Sequence, residues 1–379
     1  MKLHELARVS GISRTLIGRV TRLPLEDDSR RADAWLLTDD AAVPVDASGY
    51  LGVLAVGAPP AIANVPIVFG LRQLAYLDDG DVVAVDPNGF VRTLYRRASN
   101  HNFILLTEQC NSLCLMCSQP PKAIDDFDRL SEHLRLIDLI DPATRQLGMT
   151  GGETTLLRDG FLELIERCRD RLPSTALHVL TNGRLFFYRS FAKELGAIAH
   201  PSLVLAIPLY SDIDERHDHI VQAPGAFEQT VVGLLNLDRY NVRVEIRVVL
   251  HALSIPRLPQ LATFIVRNFP FAAHVALMGL EMFGLVHQYL DELWIDPAEY
   301  QRELVAATEI LRNAGMNVSI YNHQLCVLDE TLWPLARKSI SDWKNVYLPE
   351  CDGCSALTSC GGFFQSGTKI RSARIQAIG

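Results

Sequence analysis

The stretch Asn102-Phe103-Ile104-Leu105-Leu106-Thr107-Glu108-Gln109-Cys110-Asn111-Ser112-Leu113-Cys114-Leu115-Met116-Cys117 decides how the rest of the chain is read. Its first half is a short apolar run, which predicts a strand over 103–107. Its second half places three cysteines at CxxxCxxC spacing on one short loop, where their thiolates can converge on one centre. Soft thiolates select iron–sulfur clusters, zinc or Cu(I), and three of them supply one ligand too few for a closed four-ligand site. One coordination position is then left open for chemistry. The alternative on spacing alone is a structural zinc ion with a fourth ligand elsewhere, such as His217 or His219, although tetrahedral zinc sites more often use paired CxxC units.

Downstream of this stretch, short apolar runs alternate with helical periodicity. Strands are predicted at 103–107, 146–150, 177–181, 203–208, 242–250 and 274–278, with helices at 131–140, 161–171, 186–195, 226–239, 258–268 and 299–313. Six βα units in a row predict a parallel sheet of the barrel type, an α/β fold in which chemistry gathers where strands end and loops begin. Beyond about residue 321 the pattern dissolves into a loop-rich tail with four of the eight cysteines. Upstream, residues 81–95 read as a β-hairpin, with Val82-Val83-Ala84-Val85, a Pro87-Asn88-Gly89 turn and Phe90-Val91-Arg92-Thr93-Leu94-Tyr95. The expected organisation is an N-terminal β-rich domain over 1–100, a sheet domain over 101–320 and a cysteine-rich extension over 321–379.

The whole chain has 379 residues, enough for two or three domains with cores of their own. Hydrophobic content of 48% and charged content of 21% exclude collagen-like, coiled-coil and disordered classes. A net charge of −8 argues against a large nucleic-acid-binding face. Residues 1–18 intersperse Lys2, Glu5, Arg8 and Arg14 among apolar residues and do not form a secretory signal, so a cytoplasmic location is expected. The longest uncharged stretch, 47–71, holds Pro59, Pro60, Pro66 and four glycines and reads as strands and turns, not as a membrane span. Grouped cysteines without an export signal more often hold metals than disulfides. The charged run at 26–33 reads as a solvated loop, Cys168 as a small buried side chain in a helix, and Trp333 and Trp343 as core packing.

CxxxCxxC at the end of the first strand of six parallel units resembles the radical S-adenosylmethionine (SAM) superfamily. Successive strand ends match in order. Met116, before the third cysteine, stands where the family packs an apolar residue near the adenine. Gly151-Gly152-Glu153 is similar to the family's GGE motif, where glycines admit the methionyl amino group. Thr181-Asn182-Gly183 is a frequent family turn, and Ser211 in Leu209-Tyr210-Ser211-Asp212 stands where a polar residue meets the ribose. The family's His-Asp pair is kept in His217-Asp218, without the arginine that follows it in many relatives. Arg247 is a candidate substitute for gripping the SAM carboxylate, the other reading being a strand arginine paired with Glu245. The resemblance implies a partial (β/α)6 TIM-like barrel, a [4Fe–4S] cluster with an open iron on Cys110, Cys114 and Cys117, and bound SAM.

In the tail, Cys351-Asp352-Gly353-Cys354 is followed by Cys360, with Cys326 upstream, a closed four-ligand set for zinc or iron–sulfur. This spacing resembles the SPASM or twitch extensions of radical SAM peptide maturases and implies one auxiliary [4Fe–4S] cluster, since Phe364 stands where a fuller pattern has another cysteine. The phrase from Cys110 to Pro121, with Asp79-Gly80-Asp81-Val82-Val83 and Leu94-Tyr95-Arg96-Arg97, resembles the C-type maturases of His-Xaa-Ser peptide systems. That resemblance implies a ribosomal precursor peptide with His-Xaa-Ser repeats as substrate, a partner radical SAM maturase and a small companion protein; the chemistry also calls for an electron-donor reductase, and the acidic balance and the lack of an apolar span lead to the expectation of no nucleic acid or membrane partner. Two other readings stay open: a radical SAM enzyme acting on a small metabolite or RNA, which explains the cysteine tail less readily and, for RNA, meets the acidic balance, and a zinc-stabilised binding module, which does not account for the GGE and TNG turns.

Overall fold

The computed structural model describes residues 3–23, 25–39, 46–60, 64–72, 74, 76–126, 129–338 and 345–379. Trp343 lies outside the described residues. Two eight-stranded sheets follow one another along the chain.

The first sheet contains β1 (His4–Leu6), β2 (Arg8–Ser10), β3 (Leu16–Thr21), β4 (Ala34–Thr38), β5 (Gly52–Ala55), β6 (Ile67–Phe69), β7 (Val82–Val85) and β8 (Phe90–Tyr95), with a short helix α1 (Asp28–Arg31) inside the charged run. Its order is β1-β8-β7-β3-β4-β5-β6-β2. Only Ala7 separates β1 from β2, so the segment His4–Ser10 pairs with β8 at one edge and with β6 at the other, and the sheet closes through it. Closure removes the free edges that would otherwise invite association. The expected hairpin is present as β7–β8, antiparallel with a register shift at Val82/Val83. Every residue of β7 is fully buried because it packs on both faces. Val83 and Val85 join Trp35, Leu54 and Val68 in one core, while Val82 and Ala84 belong to the core of the second sheet.

The second sheet is β9 (Asn102–Leu105), β10 (Gln146–Thr150), β11 (Ala176–Leu180), β12 (Leu203–Pro208), β13 (Arg243–Leu250), β14 (His274–Gly279), β15 (Val318–Tyr321) and β16 (Ala336–Arg337). All pairs are parallel and sheet order equals chain order. All six expected strands are present within two residues, and β15 and β16 extend the sheet. Helices α2 (Arg129–Leu139), α3 (Asp159–Arg171), α4 (Arg189–Ile198), α6 (Ala226–Arg239), α7 (Leu258–Asn268) and α9 (Gln301–Asn313) fill the connections, with two additions, α5 (Asp214–Val221) and α8 (Leu290–Leu293). The expected start of α4 at 186 is instead a separate 3₁₀ turn, Arg184–Phe187.

Helix α3 illustrates the local physics: Phe161, Leu164, Ile165 and Cys168 fall at i, i+3, i+4 and i+7, a single buried stripe. Cys168 is there as a small apolar side chain, fully buried. Asp159 in the first turn and Arg169 and Arg171 in the last complement the helix dipole. On β13, Val244, Ile246, Val248 and Leu250 pack in the helix-covered core, which turns Glu245, Arg247 and Val249 to the opposite face. Trp333 donates its indole N–H to the carbonyls of Leu325 and Leu328 and packs on the core, as expected. Among the described residues no helix is long and apolar enough to cross a membrane.

Arg19 of β3 joins the two sheets, its Nε donating to the carbonyl of Leu139 (2.6 Å) and its Nη2 to that of Asp138 (3.3 Å) at the end of α2. These are carbonyls that the helix itself leaves unpaired. Replacing Arg19 with Met is expected to lower stability by about 1.5–3 kcal/mol, measured as a lower midpoint of urea unfolding; an unchanged midpoint would mean the contact contributes nothing.

Candidate active site

The cysteine loop is fastened to the end of β10 by a continuation of the strand ladder. Leu106 N–H donates to the Thr150 carbonyl (2.8 Å), Gly152 N–H to Thr107 (2.8 Å) and Glu153 N–H to Gln109 (2.7 Å). The closeness of these backbones explains Gly152: a Cβ there would lie 2.1 Å from the Gln109 carbonyl oxygen and 3.1 Å from the Cys110 Cβ. In this structure the glycine makes room for the cysteine loop itself.

Glu153 is fully buried and completes the junction. Its Oε1 accepts from the Thr155 amide (3.0 Å), the Thr155 hydroxyl (2.5 Å) and the Thr181 hydroxyl (2.6 Å), and its Oε2 from the Asn182 amide (2.6 Å). One carboxylate thereby ties the Gly-Gly-Glu turn to the Thr-Asn-Gly turn. The tie extends to the cysteines through Asn182, whose Nδ2 donates to Asn111 Oδ1 (2.6 Å). Arg184 does the same, with Nη1 on the Asn111 carbonyl and the Ser112 hydroxyl (3.0 Å) and Nε on Gln229 (2.7 Å). From the other side, Leu113 and Leu115 N–H donate to the Val221 and Ile220 carbonyls of α5 (3.1 and 3.0 Å), and Leu285 N–H to the Cys117 carbonyl (2.9 Å).

The three thiols are half-buried and feel one another. Burial, then the charges of Glu153 and Cys117, push Cys110 up to about 11. Burial, then Cys117 and Cys110, push Cys114 up to about 12, and burial raises Cys117. A bound cation is what would make thiolates of such a trio. Among the described residues, no three His, Cys, Asp or Glu side chains are grouped so as to hold a single metal ion. His217 instead accepts the Tyr210 amide on Nδ1 (3.2 Å), and His219 pairs with Glu292 (2.7 Å), so both serve local contacts. Three thiols on one anchored loop are a donor set of the soft kind that iron–sulfur clusters take.

Met116 is buried beside Tyr210, Ile220, Val221 and Met282 in an apolar cluster against the cysteine loop. The buried Tyr210 hydroxyl is raised well above the usual range, first by burial and then by the charge of Cys114, with Arg247 opposing. Ser211 is buried, its hydroxyl accepting the Ile213 amide (3.1 Å), and Asp212 pairs with Arg257 (2.8 and 2.5 Å). Arg247 lies 3.6 Å from Glu245 and directs Nε and Nη2 to the Met278 sulfur (3.2 and 2.8 Å). Burial opposes the Glu245 charge, yet His178, His274 and Arg247 hold its carboxyl well below the usual carboxylate range. Arg247 is therefore a paired strand arginine whose Nη1 makes no hydrogen bond among the described residues.

Three residues of this site have no role assigned from the sequence: Arg184, Tyr210 and His251. His251 is fully buried after β13, its Nδ1 accepts the Leu253 amide (3.3 Å), and burial pushes it down to about 3. Its Nε2 has no partner among the described residues, and its ring lies 6.1 Å from that of Tyr210. Their only sequence signal is adjacency to strand ends.

In the tail, Cys326 lies within charge range of Cys351 and Cys360, and burial raises its thiol. Backbone amides point at these sulfurs: Gln376 at Cys326, Ile378 at Cys354 (3.3 Å) and Gly362 at Cys360 (3.5 Å). Such donors suit anionic sulfur ligands. The Tyr347 hydroxyl on the Cys360 carbonyl (2.8 Å) and the Val346–Phe363 bridge hold the segment together.

No protein-family model matches the chain, and no curated protein matches it. Among solved structures it is similar to SuiB of Streptococcus suis bound to S-adenosylmethionine, with 15% identity and a TM-score of 0.45 over 65% of this chain and 55% of that one. It is similar to anSMEcpe with bound AdoMet and Cp18Cys peptide, with 18% identity and a TM-score of 0.44 over 57% and 62%. A third is coproporphyrinogen III oxidase (HemN) of Escherichia coli, a radical SAM enzyme, with 13% identity and a TM-score of 0.41 over 57% and 52%. The chain spans about half the length of the SuiB structure it matches.

Replacing Gly152 with Ala is expected to displace the cysteine loop and remove about four irons per chain after anaerobic reconstitution, measured by iron analysis with circular dichroism as the control for folding. Full iron retention would contradict the reading of this junction.

Proposed function

We propose that this chain is a radical SAM enzyme that modifies a ribosomally made peptide. The observation that carries the reading is the Glu153 junction, which fastens the three-cysteine loop at the strand ends where the Gly-Gly-Glu and Thr-Asn-Gly turns meet. Cys110, Cys114 and Cys117 would hold a [4Fe–4S] cluster, which when bound would supply one-electron reduction of SAM to methionine and a 5′-deoxyadenosyl radical, the electron coming from a reductase.

The remaining roles belong to side chains. The Gly151-Gly152 backbone and Glu153 shape the edge that meets the methionyl group, and Nη1 of Arg247 offers its carboxylate a partner. Asn182 and Ser211 line the nucleoside side. Met116, with Tyr210 and Met282, walls off water, so that a reactive carbon meets only the hydrogen to be abstracted. No side chain is required as acid or base for that abstraction. The fold assignment within this proposal is a partial (β/α)6 TIM-like barrel over 101–320, preceded by the β-rich domain over 1–100 and followed by an auxiliary-cluster extension over 321–379.

Cys326, Cys351, Cys354 and Cys360 are proposed to hold an auxiliary [4Fe–4S] cluster, which when bound would supply one-electron transfer. The substrate is proposed to carry His-Xaa-Ser repeats and to be handled with a second maturase, a small companion protein and a reductase, in the cytoplasm. Anaerobic, reduced protein incubated with SAM and a His-Xaa-Ser peptide is expected to yield 5′-deoxyadenosine and a peptide of altered mass. Abundant deoxyadenosine with an unchanged peptide would contradict the substrate assignment. Replacing Cys110, Cys114 or Cys117 with Ala is expected to abolish deoxyadenosine formation at least 100-fold by chromatographic assay, a loss of about 2.7 kcal/mol or more in barrier lowering. Replacing Cys351 and Cys354 together is expected to remove about four irons and peptide modification with them.

A further inference from the structure

A cleft opens between the ends of β13 and β14 and the tail, lined among others by Leu250, Glu281, Met282, Trp294, Phe364 and Arg371. It lies between the two cysteine groups. Met282 belongs to the apolar cluster that holds Met116 and Tyr210, and the opposite wall is Gly361-Gly362, directly after Cys360.

Among the described residues, most polar side chains of this cleft are engaged, but its one carboxylate without a neighbouring cation is not. Asn322 Nδ2 donates to the Gly279 carbonyl (3.2 Å) and Gln324 Nε2 to that of Gly362 (2.8 Å). Arg371 is neutralised by Glu350 (2.8 Å) and also donates to the Thr368 carbonyl. Glu281 is half-buried, two residues past β14, and its carboxylate makes no hydrogen bond or ion pair with any described residue. A carboxylate partly withdrawn from water, with no cation beside it, attracts a positive group more strongly than a fully solvated one does.

We propose that this cleft binds a basic side chain, lysine or arginine, of the peptide substrate, with Glu281 as its counter-charge. The proposal rests on the peptide reading above and adds the class of residue recognised. The methylene stem of such a side chain packs along the half-buried Trp294 and Phe364, as long cationic side chains do on apolar surface. The indole of Trp294 adds a face that favours cations. An acidic residue would meet Glu281 unscreened, and Arg371 already has its partner. Seated there, a basic anchor fixes one point of the peptide beside the wall formed by Met116 and Tyr210, so that neighbouring residues of the peptide are presented to the cysteine loop.

The test is a binding titration with the full, iron-loaded chain and two probes, acetyl-Gly-Arg-Gly-amide and its citrulline isostere, which keeps shape and loses charge. The arginine peptide is expected to bind at least ~10-fold more tightly, and Glu281→Gln is expected to erase that preference, a difference of about 1.4 kcal/mol. Glu281→Lys is expected to abolish binding of the arginine peptide, with iron content and circular dichroism confirming that both variants are folded. Equal affinity for the two probes, an unchanged preference in Glu281→Gln, or tighter binding of acetyl-Gly-Glu-Gly-amide would overturn the proposal. Binding is read without SAM or reductant, so its failure is separate from failure of the radical reading, which deoxyadenosine formation reports.

Discussion

The buried carboxylate of Glu153 is the constraint on which the site depends. A charge removed from water is tolerated only where donors replace its hydration, and here four donors from three residues do so. Those donors come from two different turns, so the carboxylate fixes the end of β10 to the end of β11. The backbone of the same residue bonds to Gln109 and holds the start of the cysteine loop. The sheet beneath supplies rigidity, since its apolar face is packed continuously against the helices. Precision at the cysteines is therefore a consequence of sheet order, transmitted through one buried group.

Much of this was legible in the sequence, for physical reasons that differ from element to element. Parallel strands buried beneath helices read as apolar runs, and β10, β12 and β13 stand where periodicity places them. The CxxxCxxC spacing marked the loop, and Cys168 was separable from it because its helical position already read as apolar. The pairing of Arg247 with Glu245 was one of two readings, two residues apart and hence on one face of a strand.

Other features depend on partners distant along the chain. Closure of the first sheet requires His4–Leu6 to find Phe90–Tyr95 and Arg8–Ser10 to find Ile67–Phe69, pairings that no local pattern encodes. Helix α5 was missed because Asp214 to His219 are all polar and show no apolar stripe. Close approach of the neighbouring backbone, Thr107 for Gly151 and Gln109 for Gly152, is a further demand on these two glycines that the sequence did not show. Arg184 clamps that loop across more than 70 residues of chain, and only its adjacency to Thr181-Asn182-Gly183 hinted at it.

The central claim is that the cysteine trio presents a four-iron cluster with one open corner to a sulfonium ligand. It is tested most directly by electron paramagnetic resonance of the anaerobically reduced protein with and without SAM, recorded on a Cys351/Cys354 double alanine variant so that a single cluster is observed. A change in the g-values of that cluster on adding SAM is the expected result. A spectrum indifferent to SAM, or a colourless protein carrying stoichiometric zinc, would contradict the account.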